Sequence, residues 1–195
     1  MLDEARRRLE KPLKLVVSGP ASAGKTTLIQ SISETKVVST DEWASEDLGK
    51  DETTVAFDFG SLTLGETPVY LFGTPGQDRF DYMWEVLSEG ADGLLLLVAG
   101  DMPDDLAHAK RILHHITKHA AVPFLVGVTR QDRTGSMSTE QVAEVMGLRR
   151  AQVVTVNAKS PTSALLAATV LLGPLIQGYG DALEPLRRHI LRSAA

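Results

Sequence analysis

Eight residues near the amino terminus constrain this chain more than any others. Gly19-Pro20-Ala21-Ser22-Ala23-Gly24-Lys25-Thr26 matches the pattern G-x-x-x-x-G-K-[ST]. It stands between an apolar run of strand length, Leu13–Ser18, and a helical pattern over Thr26–Ser33, the context in which the pattern carries meaning. The backbone N–H groups of such a loop turn inward into a concave anion site. The helix behind it adds the positive end of its dipole. The pattern therefore predicts a nucleoside triphosphate site lined by Gly19, Ala21, Ser22, Ala23, Gly24, Lys25, Thr26 and Thr27. Lys25 is expected to reach the β- and γ-phosphates and the Thr26 hydroxyl to hold Mg2+. The loop alone names neither the base nor whether hydrolysis follows.

A loop of this kind needs a sheet, and the rest of the chain supplies one. Val55–Leu64, Val69–Phe72, Gly93–Ala99, Pro123–Val128 and Val153–Val156 read as further strands. Several are continuous apolar runs, as in a parallel sheet covered on both faces. Helical patterns lie between them at Asp78–Ser88, Asp104–His119, Thr139–Met146 and Ser160–Ile176, the last broken or kinked by Gly173-Pro174. The alternation predicts a doubly wound α/β fold with a mostly parallel six-stranded sheet. Residues 1–12 read as a charged extension, 13–176 as the domain, and 177–195 as a helical extension that includes an Arg-rich segment, Leu183–Leu191. Thr35–Thr53, acidic around Trp43, reads as a long surface loop, the kind that is usually functional.

Composition narrows the class further. The chain has 195 residues, no cysteine and a formal net charge of −5. Absent cysteine excludes disulfides, thiolate catalysis, cysteine-bound metals, prenylation and palmitoylation. Leu2 excludes myristoylation. The mild acidity argues against a nucleic-acid binder. No apolar run approaches the length of a membrane span and the start lacks a secretory signal, so a cytoplasmic protein without a lipid anchor is expected.

Four more landmarks follow in order: Thr53-Thr54-Val55-Ala56-Phe57-Asp58-Phe59-Gly60, Gly73-Thr74-Pro75-Gly76-Gln77-Asp78-Arg79-Phe80, Thr129-Arg130-Gln131-Asp132 and Asn157-Ala158-Lys159. Together with the phosphate loop, their order and spacing resemble the Ras-like small GTPases over roughly residues 13–176. The wording of the first two is most similar to a bacterial branch, the GTPases of actinobacterial conservon operons, with MglA-type polarity GTPases as more distant relatives. The resemblance implies a Ras-like G domain that binds GTP/GDP with Mg2+ and hydrolyses GTP. It implies a molecular switch whose moving parts are the segments around Thr54 and Gly73–Phe80. Thr54 would sense the γ-phosphate and complete the Mg2+ shell. The Gly76 N–H would contact the γ-phosphate, and Gln77 would orient the attacking water, so Gln77, Lys25 and Thr54 form the expected catalytic set. A small roadblock-type regulator and a sensor-kinase-like upstream component are implied as partners.

The base would be read at strand ends, where ligands bind in open α/β sheets. The Asp132 carboxylate can accept from guanine N1–H and N2–H2. Adenine lacks those donors, and a polar site left unpaired rejects the wrong ligand by about 10⁴-fold or more. Arg130 can stack its planar cation over the base. Ala158 would offer its N–H to guanine O6, Lys159 would pack along the base, and Asn157 belongs to the same loop. Thr129 stands where the family carries Asn, with one hydroxyl in place of an amide.

Three departures bear on rate. Gly73 stands where most small GTPases carry an Asp that holds Mg2+ through a water, so the ion is expected to rest more loosely on Thr26, the phosphates, Thr54 and waters. Ala21 and Ser22 occupy positions often glycine in the family. All three point to slow unaided hydrolysis. A nucleotide-holding scaffold with little turnover is the alternative.

Other tracts have plainer readings. His108, His114, His115 and His119 lie on or beside one helix with no carboxylate or cysteine at matching positions, so a solvated face is expected rather than zinc. Arg6–Arg8 and Arg187, Arg188 and Arg192 are too few for a dedicated lipid site. Trp84, with Met83 and Phe80, is expected to pack the second switch helix, with core packing and the anchoring of a partner equally open.

Overall fold

A computed structural model describes residues 11–39 and 57–176. Trp43, Thr54, the basic clusters at both termini, the Leu183–Leu191 segment and most of the long acidic loop lie outside the described residues. Strands β1 (Leu13–Ser18), β2 (Val38–Ser39), β3 (Asp58–Leu64), β4 (Thr67–Gly73), β5 (Gly93–Ala99), β6 (Phe124–Thr129) and β7 (Val153–Thr155) form one sheet in the order β2-β3-β4-β1-β5-β6-β7. The β1–β4, β1–β5, β5–β6 and β6–β7 pairs are parallel, while β2–β3 and β3–β4 are antiparallel.

The helices are α1 (Lys25–Ile32), α2 (Asp81–Ser88), α3 (Leu106–His119), α4 (Thr139–Met146) and α5 (Pro161–Leu172). Two apolar cores follow from strand alternation, since successive side chains leave a strand on opposite faces. Leu15 and Val17 of β1 and Leu95 and Leu97 of β5 pack with Leu28, Ile29 and Ile32 of α1 and Ala164, Ala168 and Leu172 of α5. On the other face, Val16, Leu94, Leu96 and Val98 meet Trp84 of α2, Ile112 and Ile116 of α3, and Val142 and Met146 of α4. Both faces are covered, and the doubly wound expectation holds.

The strand count differs from the sequence reading, while the break of the last helix and the burial of Trp84 fall within it. The sheet has seven strands, because Val38–Ser39, placed in the long loop, pairs with Phe59 and Asp58 at the β3 edge. Two residues have no periodicity to read, and only the pairing defines them. The last helix ends at Leu172, and Gly173–Leu175 tightens into a 3-10 turn that admits Pro174 at its start. Trp84 is core, only 3% exposed.

The histidine face also differs. The sequence reading saw no matching carboxylate, but Glu85 of α2 brings one to within 4.8 Å of the ring nitrogens of His115 and His119. His115 packs edge-on against Trp84, and the His119 Nδ1 lies 2.8 Å from the His115 carbonyl.

Among the described residues, no helix is long and apolar enough to cross a membrane.

Candidate functional site

The parallel strands deliver their carboxyl ends to one edge of the sheet, and the candidate site lies there. The loop after β1 turns into α1 through Gly24, which caps the helix with φ 100° and no side-chain hydrogen bond. That left-handed backbone favours glycine, and the close approach of Ala158 makes the same demand, since a Cβ on Gly24 would lie 3.2 Å from the Ala158 Cβ. The first helical bond runs from the Leu28 N–H to the Gly24 carbonyl, so the N–H groups of Lys25, Thr26 and Thr27 are left to a ligand. No acidic residue occupies the first turn of α1. An uncapped helix start beside inward-turned N–H groups is an anion site.

A cleft of about 530 Å³ opens over this helix start. It gathers Ser22, Ala23, Gly24, Lys25, Thr26 and Thr27 from the phosphate loop, with Thr129, Arg130, Asp132 and Arg133 after β6 and Asn157, Ala158 and Lys159 after β7. All but Arg133 are sites that the sequence reading drew from three separate stretches. The structure also gives them roles. The Thr129 hydroxyl is buried and donates to the carbonyls of Ala23 at 2.9 Å and Val98 at 3.2 Å. It ties the phosphate loop to β5 and β6 instead of pointing at a base. Arg130, at φ 57°, donates to the Ser22 carbonyl and meets the Asp101 carboxylate at 3.4 Å. Arg133 holds the other Asp101 oxygen at 2.7 Å. Burial pushes the Asp101 carboxyl up, and the two guanidinium groups outweigh it and hold the carboxyl below its usual value.

The second base loop is equally self-braced. The Asn157 side chain accepts from the Lys159 N–H at 3.1 Å, and the Ser163 hydroxyl accepts from the Asn157 N–H at 2.9 Å. Ser160 caps α5, with Pro161 at its first position. Asp132 and Lys159 stand exposed at the cleft wall.

The other end of the loop is closed. Lys25 Nζ donates to the Gly19 carbonyl at 2.8 Å and the Pro20 carbonyl at 2.6 Å. Burial lowers its pKa to about 8, against the opposing pull of Asp58. Gly76 lies directly on the loop. A Cβ there would stand 2.6 Å from the Ala21 N and 2.7 Å from Lys25 Nζ, so only glycine fits this approach. The segment is pinned at its root by the Thr74 N–H on the Val17 carbonyl at 3.0 Å and by the Ser18 and Thr74 hydroxyls at 2.7 Å. The Trp84 indole N–H donates to the Pro75 carbonyl at 2.8 Å and ties α2 to the same segment. Gln77 is exposed and, with Gly19, Ala21 and Gly76, does not line the cleft. The Arg79 guanidinium lies 4.8 Å from the centre of the Phe80 ring.

Another residue also escaped the sequence reading. Thr26 donates its hydroxyl to the Asp58 carboxylate at 2.6 Å. Asp58 is 7% exposed. The available signal was alternation: Asp58, Gly60, Leu62 and Leu64 share the inward face of β3, where a carboxylate is out of place unless something uses it.

Comparison with known proteins agrees with this geometry. The chain is 31% identical over 143 residues to ADP-ribosylation factor-like protein 8b of Arabidopsis thaliana, covering 72% of each. It is 26% identical over 188 residues to ADP-ribosylation factor-like protein 4C of Homo sapiens, covering 92% of this chain and 88% of that protein. Its fold matches the Arl6 BBS3 small GTPase of Trypanosoma brucei, solved with the nucleotide analogue GppNp. That match has a TM-score of 0.65 at 17% identity and covers 84% of this chain and 97% of the other. The model of the ADP-ribosylation factor family matches residues 2–187. The chain therefore belongs to the ADP-ribosylation factor family of small GTPases, and it is a GTP-binding protein and a GTP hydrolase.

Proposed function

We propose that this GTPase works as a two-state switch in which the Thr74–Gln77 segment reports the third phosphate. The observation that carries the reading is the seat of Gly76. It sits against Ala21 and Lys25 at the far end of the phosphate loop, while the cleft from Ser22 to Thr27 stays open. A nucleoside diphosphate fits beside that seat, and a third phosphate needs the space Gly76 holds. On triphosphate binding, Lys25 leaves the Gly19 and Pro20 carbonyls for the phosphates, and the Gly76 N–H turns to the γ-phosphate. Gln77 then orients the attacking water, and hydrolysis lets the segment return. Thr54, outside the described residues, is the matching sensor of the first switch.

The donor set suits Mg2+, which takes hard oxygen ligands and keeps several waters. Thr26 would hold it, with Thr54 in the triphosphate state. When bound, the ion neutralises charge building on the β- and γ-phosphates. Unaided hydrolysis is slow in this reading, since Ala21 crowds the γ-phosphate and orientation of water by Gln77 supplies only part of the acceleration. A partner cation would supply about 10³–10⁵ in rate. The wording T-T-V-A-F-D-F-G and G-T-P-G-Q-D-R-F supports assignment to the bacterial conservon branch, hence a roadblock-type regulator on the switch face and a sensor-kinase-like component upstream.

Trp84 offers the test. In a Trp43→Phe background Trp84 is the one tryptophan left, and its fluorescence reports its surroundings, the Pro75 hydrogen bond among them. Exchange of GDP for a non-hydrolysable GTP analogue should change its intensity or emission maximum. Identical spectra in both states would mean that the segment does not move. The scaffold alternative draws on Gly73 and Ala21, and single-turnover phosphate release separates it from the switch.

A further inference from the structure

We propose that Asp58, on β3, supplies the carboxylate that Gly73 lacks: it accepts the hydrogen bond of the Mg2+-holding Thr26 hydroxyl and holds a water of the ion. The proposal rests on the reading of the cleft as a guanine nucleotide and Mg2+ site.

Register makes the exchange of positions possible. Asp58 and Gly73 are direct partners across the antiparallel β3–β4 pair. Partners in such a pair stand side by side with their side chains on the same face, so a function lost at one position can be filled from the other. Space at the pair is short. A Cβ added to Gly73 would stand 2.8 Å from the Ile29 Cδ1, 3.1 Å from the Asp58 Cβ and 3.2 Å from its Oδ2. An aspartate at 73 would press a second carboxylate onto the first, and like charges at that range oppose each other.

The chemistry follows from Thr26. A threonine hydroxyl that gives a lone pair to a dication must still place its proton on an acceptor. Asp58 Oδ2 already accepts it at 2.6 Å. Asp58 is a buried carboxylate beside Lys25, whose pKa it raises against the effect of burial. When Lys25 moves to the phosphates, Asp58 is left facing the place where the cation binds. Partners behind a metal's direct ligands set the orientation and basicity of those ligands, and removing one typically weakens metal binding about 10- to 100-fold. On this account Mg2+ is not held loosely despite Gly73.

The test uses the full chain loaded with a fluorescent GDP analogue and follows its dissociation from excess chelator up to millimolar Mg2+. The readout is the Mg2+ concentration at half-maximal slowing. Asp58→Asn, almost the same shape, should raise that midpoint about 10- to 100-fold. Asp58→Gly combined with Gly73→Asp, which keeps one carboxylate and one glycine in the pair, should bring it back to within a few fold of wild type. Gly73→Asp alone should not lower it. Circular dichroism checks the fold, and Asp58→Ser makes the same comparison if the Asn variant does not fold. A wild type that holds no guanine nucleotide at any Mg2+ concentration overturns the reading of the cleft, and this proposal with it. A wild type with Mg2+-dependent retention and an unshifted Asp58→Asn midpoint overturns the assignment of Asp58 alone. A folded exchange variant that behaves like Asp58→Asn overturns it too.

Discussion

The two ends of the cleft solve opposite problems. At the base end, Arg130, Thr129, Asn157 and Ser163 all satisfy their hydrogen bonds within the protein and thereby hold an open wall in which Asp132 faces solvent. At the phosphate end, Lys25 gives its protons to the loop's own carbonyls and Gly76 covers the loop. One end is built before the ligand arrives, and in the proposed switch the other is rearranged by it. A preformed end supplies affinity without an ordering cost. An end that must open supplies a difference between two ligands that share everything except one phosphate.

The sharpest way to break this comparison is to remove the charge that joins the two ends. Lys25→Ala should weaken GDP and GTP binding about 10²–10⁴-fold, from two charge-assisted contacts of about 1.5–3 kcal/mol each. The nucleotide-free protein should melt no lower than wild type, because burial of the ammonium opposes folding. Isothermal titration and a thermal melt read both. A variant that melts well below wild type would show that the contacts of Lys25 with the loop carbonyls are structural.

Asp132→Asn probes the base end alone. It should cost guanine nucleotides about 10²–10³-fold, from loss of hydrogen bonds to a charged acceptor, and should move preference toward xanthine, whose O2 accepts where guanine donates. The Trp84 spectra of saturated GDP and triphosphate forms should stay as in wild type. If Asp132→Asn altered the spectral difference, the ends would not be separable.

How much of this was legible in the sequence divides along the same line. β5 was readable because it is an unbroken apolar run, β1 because Leu15–Val17 leads into the glycine loop, and α4 from its helical pattern over Thr139–Met146. The base end was readable because its residues cluster in short stretches at strand ends. The closed end was not. The two residues of β2 exist only through pairing with β3, and Asp58 matters only through its register with Gly73. Both depend on which strands meet, and local pattern does not carry that. The seat of Gly76 on Ala21 and the inward turn of the Thr129 hydroxyl are likewise contacts between distant segments.

Gly76→Ala acts on the closed end alone. The added Cβ cannot occupy the observed seat, 2.6 Å from the Ala21 N, whereas the N–H offered to a γ-phosphate is retained. Overpacking of this kind costs about 1–3 kcal/mol. The variant should therefore favour the triphosphate analogue over GDP about 5- to 150-fold more than wild type does, and its GDP-form Trp84 spectrum should move toward the triphosphate one. An unchanged ratio would mean that the closed seat does not oppose the third phosphate.

The smallest effect is a proton. Burial holds Lys25 at a pKa of about 8 in the free protein, against 10.5 for an exposed lysine. Between those values the unfolded chain binds the proton and the folded one does not, so this group makes the free protein more stable as pH rises through that window. Nucleotide binding has the opposite sign. Phosphates restore the charged form, so the complex takes up a proton that the free protein has begun to lose, and affinity falls as pH climbs past about 8. From about pH 7 to about pH 9, GDP affinity should drop about tenfold from this group. Titrations in buffers of different ionisation heat should show net proton uptake at the upper end. Lys25→Ala should abolish both the slope and the uptake. A flat wild-type profile would mean that the ammonium is not desolvated by its seat under Gly76, and the phosphate end would then be as open as the base end.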